Sequence, residues 1–143
     1  MNPKPTTIVI ECFDLRFRKA FRHFTREELG VKTEDFIKIE RAGGAAALAH
    51  PIKQEGARLD TLNQISFAVQ HFPSIERVIV IGHQNCGFYT RIPNHPDAED
   101  PEKKDLPKVA KAIREMFGNL KVECHYAYFT DGSRTQISFE QIV

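Results

Sequence analysis

Val78-Ile79-Val80-Ile81-Gly82-His83-Gln84-Asn85-Cys86-Gly87 is an apolar, mostly β-branched run that ends on a glycine and then delivers a histidine and a cysteine three residues apart. Consecutive large aliphatic residues predict a strand covered on both faces, as in the centre of a parallel sheet. A second stretch has the same layout: Thr7-Ile8-Val9-Ile10 runs into Cys12-Phe13-Asp14-Leu15-Arg16. The carboxyl ends of neighbouring parallel strands converge on one crevice, so Cys12, His83 and Cys86 would meet there. Two thiolates and one imidazole make three protein ligands, the number a catalytic zinc keeps when one position stays open. Soft sulfur with borderline nitrogen suits that ion. Taken singly, each motif favours buried structural cysteine with a satisfied histidine. Taken together at two strand ends, they favour a metal.

Working outward, residues 6–11 read as the first strand. Residues 16–29 read as a helix, with Phe17, Ala20, Phe21 and Phe24 at helical spacing and Gly30 as a stop. Residues 35–41 read as a second strand running into Ala42-Gly43-Gly44, where the backbone can turn tightly or approach a ligand closely. The alanine run 45–49 could open a helix, but Pro51 interrupts it, and 53–56 reads as a loop. Residues 59–72 form an amphipathic helix ended by Pro73. Residues 94–107, rich in proline and acid, predict a surface loop whose acidic part, 97–105, lies near the crevice or away from it. A helix over 106–117, a strand over 122–129, a turn at 130–133 and a short strand over 135–139 complete the chain. Strand and helix alternate until a final hairpin. The expected fold class is α/β: a mainly parallel β-sheet flanked by helices, with an antiparallel C-terminal edge hairpin, in a single domain over 1–143.

With 143 residues, 41% hydrophobic and 27% charged, the chain has the composition of a globular protein. A formal net charge of +1 gives no general case for nucleic acid or an anionic membrane as partner. No apolar run reaches bilayer length. Met1-Asn2-Pro3-Lys4-Pro5 lacks the apolar stretch of a secretory signal, so a cytoplasmic location is expected. Three cysteines, an odd number, point to metal binding or catalysis rather than a disulfide framework.

Asp14 and Arg16, two apart on an extended segment, would point the same way and pair rigidly. Beside a metal, Asp14 could accept a hydrogen bond from bound water or take the open position itself, while Arg16 keeps it ionised. An ordinary ion pair is the alternative. Cys124 and His125 face opposite sides of a strand, and Cys124 is expected in the core. His23 is expected in solvent and His71 at a helix end. His50 and His95 are expected in loops, where either could move protons. Phe88 and Tyr89 either wall the pocket or pack a helix start.

Cys12-x-Asp14-x-Arg16, a strand leading to Ala42-Gly43, and Gly82-His83-x-x-Cys86-Gly87 together resemble the β-class carbonic anhydrases. The likeness runs from about residue 6 to 86 and more loosely into the hairpin. It implies zinc (Zn2+) on Cys12, His83 and Cys86, with Asp14 and Arg16 as the adjacent catalytic dyad. It also implies a pocket that includes Ala42, Gly43, Gly44, Gly87, Phe88 and Tyr89. The implied activity is that of a carbonate dehydratase, a zinc lyase that hydrates carbon dioxide reversibly to bicarbonate by zinc-bound hydroxide. A homodimer or higher homo-oligomer is implied as well. Two other readings stand beside it: a hydrolase for carbonyl sulfide or carbon disulfide, and a non-catalytic zinc-containing relative that binds an anion or a partner. The chain departs from the family pattern at Leu15, where serine is common, and at Asn85, where aspartate is common. It has Arg41-Ala42-Gly43-Gly44 in place of Asn-Ala-Gly-Asn, which puts a cation at the pocket rim. The family's N-terminal helices have no counterpart ahead of the first strand.

Overall fold

The computed structural model describes residues 2–91 and 101–143. Strands β1 (Thr7–Cys12), β2 (Phe36–Arg41), β3 (Arg77–His83), β4 (Lys121–Phe129) and β5 (Ile137–Gln141) form one sheet in the order β2-β1-β3-β4-β5. The first four are parallel, and β5 runs antiparallel to β4 at the edge. The expected fold class is therefore the observed one. β3 lies at the middle of the order, and Val78, Ile79, Val80 and Ile81 are buried on both faces, as a doubly covered strand requires.

Each face of the sheet carries its own core. On one face, helices α2 (Glu55–His71) and α3 (Pro101–Met116) set Leu62, Ile65, Leu106, Val109 and Ile113 against Ile8, Ile10 and Val80. On the other, α1 (Arg18–His23) sets Phe17, Phe21 and Phe24 against Val9, Ile79 and Ile81. The helix predicted over 16–29 is shorter and not uniform. It opens with a turn in which Phe17 N–H donates to Asp14 O (3.2 Å), and it ends in a π turn over Phe24–Glu28 closed by Leu29 N–H to Phe24 O (2.9 Å). Gly30, at φ 68°, stops it.

Two sequence expectations are corrected. Residues 101–107 are helical, not loop: α3 begins at Pro101, and the apolar face of Leu106, Val109, Ala110 and Ile113 anchors it although Pro107 lies inside. Likewise 53–56 is not wholly a loop, because α2 already begins at Glu55. The rest of the predicted loop, 94–100, and His95 lie outside the described residues.

Cys124 is fully buried, its thiol facing Leu106 O at 3.6 Å, and burial pushes its pKa up to about 12. Its neighbour His125 is buried on the opposite face, edge-on to Phe24 with ring centroids 5.0 Å apart. Burial lowers the His125 pKa, outweighing the carboxylate of Glu123. As pH falls through the ordinary histidine value, the unfolded chain takes a proton that the folded chain resists, so this residue makes the fold less stable in acid. Between pH 7.5 and 5.5, His125→Gln should lose less melting temperature than the unmodified protein in thermal unfolding followed by circular dichroism.

Candidate metal centre

The order of strands places the site. From β1 the chain goes outward to β2, and from β3 it goes outward to β4 on the other side, so the carboxyl ends of β1 and β3 flank a switch point where a crevice must open. The paired register between them ends at Glu11 and Ile81. Cys12 closes β1 and His83 closes β3. Asn85, at φ 56°, then turns the chain so that Cys86 returns to the crevice, a backbone state that asparagine tolerates better than most residues. Cys12, His83 and Cys86 are all buried, and their ligand atoms lie within 4.8 Å of one another.

The histidine is oriented for ligation. Its ring packs on Phe17 at 4.5 Å, and Nδ1 lies 2.9 Å from Gln84 O. A carbonyl only accepts, so Nδ1 carries the proton and Nε2 presents its lone pair. Nε2 is buried without a hydrogen-bond partner. A buried imidazole nitrogen left bare beside two sulfurs is what a metal ligand looks like before its ion is added, so this donor set fits a soft or borderline divalent cation. The sulfurs share a proton: the hydrogen bond with Cys86 pulls the Cys12 pKa below the thiol range, and the same contact pushes that of Cys86 up. Burial opposes charge on His83, but Cys12 and Glu102 outweigh it and raise its pKa.

Asp14 and Arg16 pair as expected, but on a turn rather than an extended segment. Arg16 donates from its backbone N–H to Asp14 Oδ1 (2.9 Å), from Nε to Oδ1 (3.1 Å) and from its terminal nitrogen to Oδ2 (2.7 Å). The same terminal nitrogen reaches Asn85 O at 3.0 Å, tying the first motif to the second. Asp14 Oδ2 lies 3.9 Å from His83 Nε2. The hydrogen bonds from Arg16 hold the Asp14 carboxyl below the usual carboxylate range.

A cleft of about 670 Å³ opens beside these residues, lined by Cys12, Phe13, Asp14, Leu15, Ala42, Gly43, Gly87 and Phe88 among others. Gly44 and Tyr89 do not line it. Gly44 (φ 55°) packs on the backbone of Glu11 and Cys12, and Tyr89 is buried against Cys12, Ala46 and Cys86. Arg41 reaches the cleft, but its guanidinium is tied to α2, 2.7 Å from Asp60 Oδ2 and 2.7 Å from Thr61 Oγ1. Gly43 has φ 74°, and a Cβ there would run into the Phe88 ring. Gly43→Ala should therefore cost more than about 1 kcal/mol of stability, measured by urea unfolding.

Sequence reading missed the acids behind the site. Glu102 is buried, and its Oε2 accepts the His83 N–H at 3.1 Å. Asp105 Oδ2 lies 2.7 Å from His50 Nε2 and accepts from Tyr89 Oη at 2.9 Å, so His50 is held by a buried acid rather than left loose in a loop. Burial opposes ionisation of Asp105, but His50, Tyr89 and Lys108 together keep its pKa low. The missed signal was periodic. Glu102 and Asp105 continue the buried spacing of Leu106, Val109 and Ile113 backward, and Pro107 masked it.

A family model described as "Putative carbonic anhydrase" matches residues 2–138. The chain belongs to that family. No curated protein matches this family member significantly. Among solved structures, the β-carbonic anhydrase CafA of Aspergillus fumigatus is similar at 18% identity and TM-score 0.51, over 98% of this chain and 76% of that one. The β-carbonic anhydrase CcaA is similar at 18% identity and TM-score 0.50, over 96% and 80%. One of two tetrameric β-carbonic anhydrases from Sordaria macrospora aligns at 20% identity and TM-score 0.47, over 96% and 81%. The fold is that of the β-carbonic anhydrases.

Proposed function

We propose that this member of the carbonic anhydrase family is a zinc-dependent carbonate dehydratase that interconverts carbon dioxide and bicarbonate. The observation that carries the reading is the convergence of Cys12, His83 and Cys86, with ligand atoms within 4.8 Å, in a chain of this family. Zinc held by these three residues would supply a Lewis acid that makes water a nucleophile near neutral pH. The chain's own groups account for the rest. Asp14, kept ionised by Arg16, stands beside the three ligands and can accept one hydrogen bond from the attacking water, so that a lone pair faces the substrate. Phe13, Leu15, Ala42 and Phe88 give the cleft an apolar wall suited to carbon dioxide.

The protein acts as one domain over 1–143 and as a homodimer or higher homo-oligomer. Phe13, 55% exposed, and Leu15, 74% exposed, are apolar side chains at the cleft mouth that a second copy would cover. We place it in the cytoplasm. Its three cysteines are free, as a reducing compartment keeps them, and no helix among the described residues is long and apolar enough to cross a membrane.

A stopped-flow pH-indicator assay on zinc-loaded protein tests the activity. Hydration well above the buffer rate, lost on chelation, is expected. Bound zinc with hydration at the buffer rate would overturn the enzymatic reading in favour of a non-catalytic relative. Turnover of carbonyl sulfide in place of carbon dioxide would reassign the substrate.

A further inference from the structure

The last hydrogen bond at the end of β3 goes to a side chain. Gln84 N–H bonds to Ala127 O on β4 at 2.9 Å. Successive strand amides point to opposite sides, so the His83 N–H points toward β1. There the ladder has already ended, because β1 and β3 stop pairing at Glu11 and Ile81. A buried backbone N–H in that gap needs an acceptor. Glu102, from the first turn of α3, fills the gap, with Oε2 3.1 Å from His83 N. Gly82 makes this possible. A Cβ at that position would come within 3.0 Å of the Glu102 Cγ and Cδ atoms.

We propose that Glu102 is a positioning residue for the metal centre, fixing the His83 backbone where the β1–β3 ladder ends so that the imidazole stays aimed at the ion. The proposal rests on the metal reading given above. Glu102 is 4% exposed, and among the described residues no lysine or arginine pairs with it. A buried acid without a cation costs stability that a leucine of similar size would not, so its place is explained by what it holds. Outer-sphere hydrogen bonds of this kind orient metal ligands, and their loss lowers metal affinity by about 10–100-fold.

Zinc affinity by chelator competition and the absorption bands of the Co2+-loaded protein test the proposal, alongside melting of the metal-free proteins. Glu102→Leu should bind zinc about 10–100-fold more weakly and shift the thiolate–cobalt bands. Glu102→Gln, whose amide oxygen can still accept from His83 N–H, should stay within a few-fold of the unmodified protein with its bands in place. Gly82→Ala should reproduce the Leu effect, and the double variant should add little to either. Unchanged affinity and bands in Glu102→Leu, or an equal loss in Glu102→Gln, would overturn the proposal. So would a drop in metal-free melting temperature with the cobalt bands unmoved, since that marks a packing role alone. If the unmodified protein binds neither zinc nor cobalt, the metal reading falls and this proposal with it; binding that is indifferent to Glu102 removes only the latter.

Discussion

Cys86→Ser should abolish stoichiometric metal: a preparation that carries about one zinc per chain should carry less than about a tenth of that after the substitution, and hydration should fall to the buffer rate. The expectation follows from ligand count. Three protein ligands are the minimum for a tightly held catalytic ion, and serine offers a hard, protonated oxygen where zinc prefers thiolate. Cys86 is 7% exposed and sits with Cys12, Ala46 and Tyr89 in a small buried cluster, so the smaller oxygen removes a donor while disturbing the packing little. Cys12→Ser should behave alike, whereas Cys124→Ser should retain the metal, because that thiol faces Leu106 O in the core between the sheet and α3, in a different cluster from Cys12 and Cys86. Elemental analysis after gel filtration decides it. Full zinc retention in Cys86→Ser would remove that residue from the ligand set.

Asp14→Asn should keep the metal and lose the rate. The substitution preserves size and leaves one carbonyl oxygen to accept from Arg16, but it removes the charge that the four Arg16 hydrogen bonds stabilise. A carboxylate only accepts, so it holds the attacking water in one orientation; an amide can present its NH2 instead and hold it in the wrong one. Loss of a positioned acceptor of this kind costs roughly 10²–10⁴-fold in turnover. Zinc content should stay at the level of the unmodified protein, since Asp14 is not among the clustered ligands. Stopped-flow hydration and elemental analysis on the same sample separate the two effects. A variant within twofold of the normal rate would mean that Asp14 and Arg16 only brace the turn to Asn85.

The parts of this site that can be read along the chain share one property: their information is local. Val78 to Ile81 announce a covered strand through their side chains alone, and His83 and Cys86 follow within a single turn. The same holds for Cys12, Asp14 and Arg16. The Asp14–Arg16 pair was expected from spacing, although the turn that makes it differs from the extended segment that spacing suggested. The acids were hidden because their partners are remote. Glu102 meets His83 across 19 residues and Asp105 meets His50 across 55, and the proline-rich, acidic stretch around them has the composition of a solvated loop. Arg41 shows the converse. Its charge at the cleft was legible, but Asp60 and Thr61 on α2 take up its guanidinium, and nothing in the order of residues foretold that neighbour.

Strand periodicity and the two short motifs were enough to determine the α/β architecture and to point to the three side chains that the fold brings together, because backbone sterics and side-chain alternation act over a few residues. Packing alone decided which acids stand behind this cluster, where α3 begins and which rim residues line the cleft. Those outcomes depend on how separate helices seat against opposite faces of one sheet, and burial energy is settled by that assembly rather than by any single stretch of chain.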